Sequence, residues 1–217
     1  MKKGYIDAAK TIREASEKQI SVGEHVEQMW GITGQTERIT DKLLSKISLP
    51  SFFRYLEIGP GTGRFLRELQ IRFPNIECEI YETDKHWSKW VSQKYKTKEC
   101  EANGVSLGIT KSNTIDFCAA HGVFVYLDTI VAFSYLQEIG RCLKEGGYLI
   151  FNIINMDDKC ILNYIEKSIK AKSFYLIPIS KKVIDKFLRK SNCIFLDSFI
   201  EKYDRVNSTY LVYQKQT

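Results

Sequence analysis

The chain has 217 residues, of which 44% are apolar and 27% charged, with a formal net charge of +6. That length is enough for one α/β domain with a core of its own, and the composition excludes disordered, collagen-like and low-complexity classes. The densest apolar run, Tyr148–Ile154, is far short of the ~20 residues a membrane helix needs, and no apolar stretch follows the lysines of the opening MKKGYIDAAK. A soluble cytoplasmic protein with no membrane insertion is therefore expected.

The six cysteines, at 78, 100, 118, 142, 160 and 193, are never closer than 18 residues apart, and no CxxC pair occurs. Reduced, mostly buried thiols are expected, and no metal site. Charge is uneven along the chain. Residues 151–217 carry 12 basic and 7 acidic side chains, so five of the six excess positive charges lie in the last third. The lysine-rich stretch Lys181, Lys182, Lys186, Arg189, Lys190 reads either as the solvated side of a helix whose buried stripe is Val183, Ile184, Phe187 and Leu188, or as a face for an anionic partner.

Periodicity predicts the elements in order. The first 50 residues are helical, with a Gly-containing joint, Trp30-Gly31-Ile32-Thr33-Gly34-Gln35-Thr36. Arg54–Ile58 is a strand, Gly63–Phe73 a helix stopped by Pro74, Glu77–Glu82 a strand, and His86–Tyr95 a helix. A weak strand follows at Thr97–Glu101, then a strand at Thr114–His121. The helix Thr129–Leu143 is closed by Lys144-Glu145-Gly146-Gly147, where glycine is expected beyond a helix end. The apolar strand Tyr148–Ile154, helices at Asp158–Lys170 and Ser180–Lys190, and a hairpin of Ile194–Lys202 and Thr209–Gln214 joined by Asp204–Ser208 complete the chain.

This alternation predicts a Rossmann-like, doubly wound α/β fold: a mostly parallel seven-stranded sheet, a C-terminal antiparallel hairpin and an N-terminal helical extension. One domain is expected over residues 1–217, with a helical lid or extension at 1–50, a ligand-binding core at 51–154 and a C-terminal part at 155–217. Ligands on such sheets sit at the carboxyl ends of the strands, so the loops after the first four strands hold the candidate chemistry.

The first of these loops is the most distinctive. Glu57 ends a strand, and Gly59-Pro60-Gly61-Thr62-Gly63 follow with a helix directly behind. Glycines serve where a turn needs unusual dihedrals or where backbone lies against a ligand. No GxxxxGK[ST] is present, and Arg64 stands where the dinucleotide fingerprint has its third glycine. A carboxylate two residues before the first glycine suits an ammonium group better than a pyrophosphate.

The Glu-x-Gly-x-Gly-x-Gly loop, together with four segments C-terminal to it, resembles class I S-adenosylmethionine-dependent methyltransferases. The resemblance runs from about Phe53 to Ile154 and takes in Cys78–Asp84, Cys100–Leu107, Ser112–Asp128 and Tyr135–Ile153. It implies S-adenosylmethionine as cofactor, with Glu57, Gly59, Pro60, Gly61, Thr62 and Gly63 around its methionyl part. It also implies Glu82, nineteen residues after Gly63, on the ribose hydroxyls, with Asp84 as the competing acid. Ala102, Asn103 and Gly104 would face the adenine, although Asn103 reads equally as a turn residue. Glu138, Arg141, Leu143, Lys144, Gly146 and Gly147 match a helix–turn–strand signature that marks the fold.

His121, leaving the fourth strand, either lines the cofactor pocket or acts as the catalytic base for a hydroxyl, its reference pKa being about 6.5. Tyr126 and His86 are weaker candidates. The [DN]PP[YF] of amino-group DNA methylases and the Pro-Cys of RNA cytosine methylases are absent from Ala120-His121-Gly122-Val123, so nucleic acid is disfavoured as acceptor. Gln28-Met29-Trp30-Gly31 with Arg38 form a candidate lid. The expected activity is O-methylation of a small-molecule or saccharide acceptor, phosphorylated or nucleotide-linked if the basic third takes part. The alternatives are an RNA or protein methyltransferase using that third, or a non-catalytic cofactor-binding or scaffold module.

Overall fold

A computed structural model describes residues 6–203 and 206–217. The described residues form two compact units, one up to Glu101 and the other from Ala102 onward.

The first unit opens with three helices. Asp7 caps α1 (Ala8–Glu17) by accepting from the Lys10 N–H, and Ser21 with Glu24 forms a reciprocal capping box on α2 (Val22–Trp30). Gly31 and Gly34, both left-handed, turn the chain into α3 (Gln35–Leu44). The buried Glu27 carboxylate holds this joint, accepting from the Gly34 and Thr36 N–H groups at 2.7 Å and from the Thr36 hydroxyl.

Then come β1 (Arg54–Ile58), α4 (Arg64–Arg72), β2 (Glu77–Tyr81), α5 (Lys85–Tyr95) and β3 (Lys98–Cys100). The strands lie parallel in the order β3-β2-β1, with Glu57 beside Ile80 and Tyr81 beside Cys100. Leu56, Ile58 and Ile80 are fully or almost fully buried, as strands covered on both faces require. Ala8, Ala15 and Val22 cluster with Trp87 of α5, whose indole N–H donates to the Ile6 carbonyl. A methyl group on Gly23 would lie 2.9 Å from Arg64 Cβ, so glycine lets α2 approach α4.

The second unit contains β4 (Ile115–Ala120), α6 (Thr129–Cys142), β5 (Leu143–Asn155), α7 (Ile161–Lys170), β6 (Pro178–Ile179), α8 (Lys181–Leu188), β7 (Cys193–Tyr203) and β8 (Val206–Lys215). Strand order is β4-β5-β8-β7, with β4 and β5 parallel and the last two pairings antiparallel. This is the mixed α/β architecture, parallel then antiparallel, that the sequence predicts.

Four details differ from the sequence reading. Lys144–Gly147 belongs to β5, which starts at Leu143 beside Ile115 and bulges before Tyr148 pairs with Phe117. Gly146 takes φ +75, and a Cβ on Gly147 would meet the Lys144 and Ile115 carbonyls at 2.9 and 3.1 Å, so both glycines serve the bulge rather than a helix cap. The two-residue β6, pairing Ile154 with Pro178, is an eighth strand that two residues of pattern cannot announce. Val183 is half exposed; Ile184 and Leu188, four residues apart, carry the buried stripe. β8 begins at Val206, inside the expected connection, and Asp204 and Arg205 lie outside the described residues, as does the opening MKKGY.

The six cysteines are free thiols, and only Cys160 is exposed. Among the described residues no helix is long and apolar enough to cross a membrane.

Candidate active site

In the first unit the glycine loop leaves β1 and enters α4. Gly59, Gly61 and Gly63 all have positive φ, between +50 and +65, a region costly for any residue with a Cβ. The Gly59 N–H donates to the Tyr81 carbonyl at 2.8 Å, and the Gly63 N–H donates to the Pro60 carbonyl at 2.8 Å. Gly63 is also sterically required, because a Cβ there would stand 2.6 Å from the Tyr95 ring. Gly61 differs: among the described residues nothing lies within 4 Å of where its Cβ would be. The loop thus packs at one glycine and is open at another. Among the described residues no side chain caps the first turn of α4, whose N-cap is Gly63.

Two carboxylates frame this loop. Glu82, just past β2, accepts from the Gly61 N–H at 3.0 Å and from the Asp84 N–H at 2.9 Å. Desolvation raises its pKa, while those N–H groups pull the other way. Asp84 caps α5, accepting from the His86 and Trp87 N–H groups. The two acids that competed in the sequence therefore have different surroundings: one is tied to the loop, the other to a helix.

Glu57 is the more unusual group. It is 1% exposed, and its Oε2 has no hydrogen-bond partner among the described residues. Burial pushes its pKa from 4.5 to about 8, with the nearby Glu82 charge adding to the rise and a Tyr55 hydrogen bond and Arg64 opposing it. A buried acid with one oxygen unsatisfied fits a ligand that brings a cationic N–H donor.

In the second unit Asn103 is exposed and makes a side-chain turn, accepting from the Val105 and Ser106 N–H groups and donating to the Ser106 hydroxyl. Ala102 and Gly104 flank it, half-buried, Gly104 with φ +81. His121 follows β4, half-buried, its ring 5.9 Å from that of Tyr210 on β8. Its loop is held by Asn152, a fully buried amide on β5 that accepts from the Gly122 N–H at 2.7 Å and donates to the Ser208 hydroxyl at 3.1 Å. Tyr126 stacks on Tyr175, and the His86 side chain is exposed.

Beyond the carboxyl end of β5 lies a cleft of about 520 Å³ between α7 and the start of β8. Asn155, Asn163 and Asn207, the Tyr164 ring, Lys167 and Lys202 are among its walls, with Asp158 the one acid among the described residues. The signature residues expected to be structural are so: Glu138 and Arg141 pair at 2.8 Å and together bind the 107–112 loop, and Lys144 pairs with Asp116 at 2.7 Å. Among the described residues no three His, Cys, Asp or Glu gather as metal ligands.

Residues 56–151 match the model of the family described as Methyltransferase domain. The match takes in somewhat under half of the chain and marks a methyltransferase domain there. A curated relative, an uncharacterized protein of Methanocaldococcus jannaschii, is 29% identical over 168 residues, covering 70% of this chain and 73% of that protein. Among solved structures, magnesium protoporphyrin IX methyltransferase from Synechocystis PCC 6803 with bound SAH superposes with a TM-score of 0.67 at 12% identity, covering 98% of this chain and 90% of that one. A methyltransferase of Methanosarcina mazei gives 0.63 at 14% identity over 77% of this chain and 94% of its own. At these identities the superpositions establish the Rossmann-like methyltransferase fold.

Sequence reasoning missed Glu27, Tyr55, Asn152 and Tyr210. Asn152 was the most legible of them, since a lone amide inside Tyr148–Ile154 has to be hydrogen-bonded somewhere.

Proposed function

We propose that this chain is a class I S-adenosylmethionine-dependent methyltransferase that acts on an oxygen of a small-molecule or saccharide acceptor carrying an anionic group. The observation that carries this reading is the cleft at the end of β5, whose three amides, one phenol ring and two lysines suit hydroxyls, a sugar face and a phosphate or carboxylate respectively. When bound, S-adenosylmethionine supplies a methyl group on a sulfonium centre, open to in-line displacement. Glu57 would meet its ammonium, and Gly59, Pro60, Gly61, Thr62 and Gly63 would run along its methionyl part. Glu82 would take the ribose hydroxyls, while Ala102, Asn103 and Gly104 would border the adenine. Residues 1–217 would act as one catalytic domain.

His121 is the group we assign to the acceptor, an imidazole nitrogen taking the hydroxyl proton as the new O–C bond forms. Its support is position, at the exit of a strand whose loop Asn152 fixes, beside Tyr210.

The test is methyl transfer followed by mass spectrometry, with a panel of hydroxylated acceptors offered with and without phosphate or carboxylate. The expected result is turnover on anionic hydroxyl compounds, with KM raised about tenfold by Lys202→Gln, the usual worth of a charge-assisted hydrogen bond. Turnover confined to amines, RNA or protein would contradict the reading.

A further inference from the structure

The helix α7 is anomalous in this fold because none of its residues is buried. Its inner side, with Ile161 and Tyr164, packs against Val125, Ile154 and Leu176. A second apolar row remains in solvent: Leu162 and Ile169, seven residues or two turns apart, are 67% and 61% exposed. Phe174, four residues beyond the helix end, is 70% exposed. Toward the C-terminal end of this row the charge is one-sided, since residues 167–174 hold Lys167, Lys170 and Lys172 and no acid; Glu166 is the single acid of the helix, and Asp157 and Asp158 precede it. Lys170 and Lys172 are exposed.

From this arrangement we infer that α7 and the segment to Phe174 dock the protein on an anionic phospholipid surface. Leu162, Ile169 and Phe174 enter the boundary between headgroups and acyl chains, and Lys170 and Lys172 meet the lipid phosphates. Apolar side chains left in water beside lysines are the two contributions an interfacial helix combines, and neither suffices alone. A protein-binding groove would need a concave apolar surface, whereas these side chains project outward. Because α7 also walls the cleft, docking sets that wall at the headgroup layer, where a lipid-linked anionic saccharide is presented. This last step rests on the acceptor reading above, while docking itself does not.

The experiment is co-sedimentation of the full chain with vesicles of phosphatidylcholine alone and of phosphatidylcholine with phosphatidylserine, without cofactor or acceptor. Binding is expected only to the anionic vesicles and should weaken as salt rises. Lys170→Gln with Lys172→Gln should reduce binding about fivefold per lysine. Ile169→Ser with Phe174→Ser should reduce it at least about tenfold, and Glu166→Gln should strengthen it. S-adenosylhomocysteine affinity and the urea midpoint, unchanged in these surface variants, show that the fold is intact. No binding to anionic vesicles, equal binding by the serine variant, or self-association in ultracentrifugation that the serine variant abolishes would each overturn the inference. If docking holds and no anionic saccharide is methylated, the acceptor reading alone fails.

Discussion

Replacing Glu57 by glutamine tests whether the buried acid is held for a ligand at the expense of stability. Its pKa is raised to about 8 by burial, against 4.5 for the ordinary carboxyl. Between those values the folded chain keeps a proton that the unfolded chain has released, so stability falls as pH rises through that window. For a single group with these two values, the loss between about pH 5 and about pH 7.5 is roughly 3 kcal/mol. Glutamine has the same shape and does not titrate. The difference in unfolding free energy, variant minus wild type, should therefore grow by about 3 kcal/mol in favour of the variant across that range. Urea denaturation at matched pH steps measures it, and titrating groups that do not interact with Glu57 cancel in the difference. A difference that stays flat with pH, or grows in the opposite direction, would refute the account of Glu57. The same variant should bind S-adenosylmethionine more weakly, the combination expected of a residue kept for function.

The other expectations concern the loop and its support. Gly63→Ala meets the Tyr95 ring and a positive φ together, so it should destabilise the protein by about 2 kcal/mol or more; an unchanged urea midpoint would contradict this. Gly61→Ala has open space around it and bears only the backbone strain, about 1 kcal/mol. It should damage S-adenosylhomocysteine affinity out of proportion to stability, as calorimetry would show. Asn152→Ala strands the Gly122 N–H and the Ser208 hydroxyl, which should cost about 1–3 kcal/mol. It should also lower turnover through the His121 loop while leaving cofactor affinity near wild type.

Much of the framework is legible in the sequence because each element announces itself locally. Arg54–Ile58 is bounded by glycine and proline, and its observed limits are those predicted. The helix behind the loop shows its apolar face in Phe65, Leu66 and Leu69 and ends before Pro74. Cofactor candidates could be named for a similar reason, as acids and glycines at strand ends, although Gly63 and Asp84 also have structural roles. What was not legible depends on partners distant in sequence. Gly146 and Gly147 look like helix punctuation until Ile115 is beside them. Asp84 and Glu82 are equivalent as letters, and only the Gly61 N–H and the α5 N-terminus separate them. The cleft joins residues between Ile154 and Lys167 with Lys202, Val206 and Asn207, which no local pattern connects.

Calorimetric titration of S-adenosylmethionine and S-adenosylhomocysteine into the wild-type protein and into Glu82→Ala tests the central assignment most directly. Glu82 holds the Gly61 N–H and is the acid assigned to the ribose. The account predicts binding of both ligands by the wild type and an affinity at least about tenfold lower in the variant, with the fold retained. Wild-type affinity in a folded Glu82→Ala protein would contradict it.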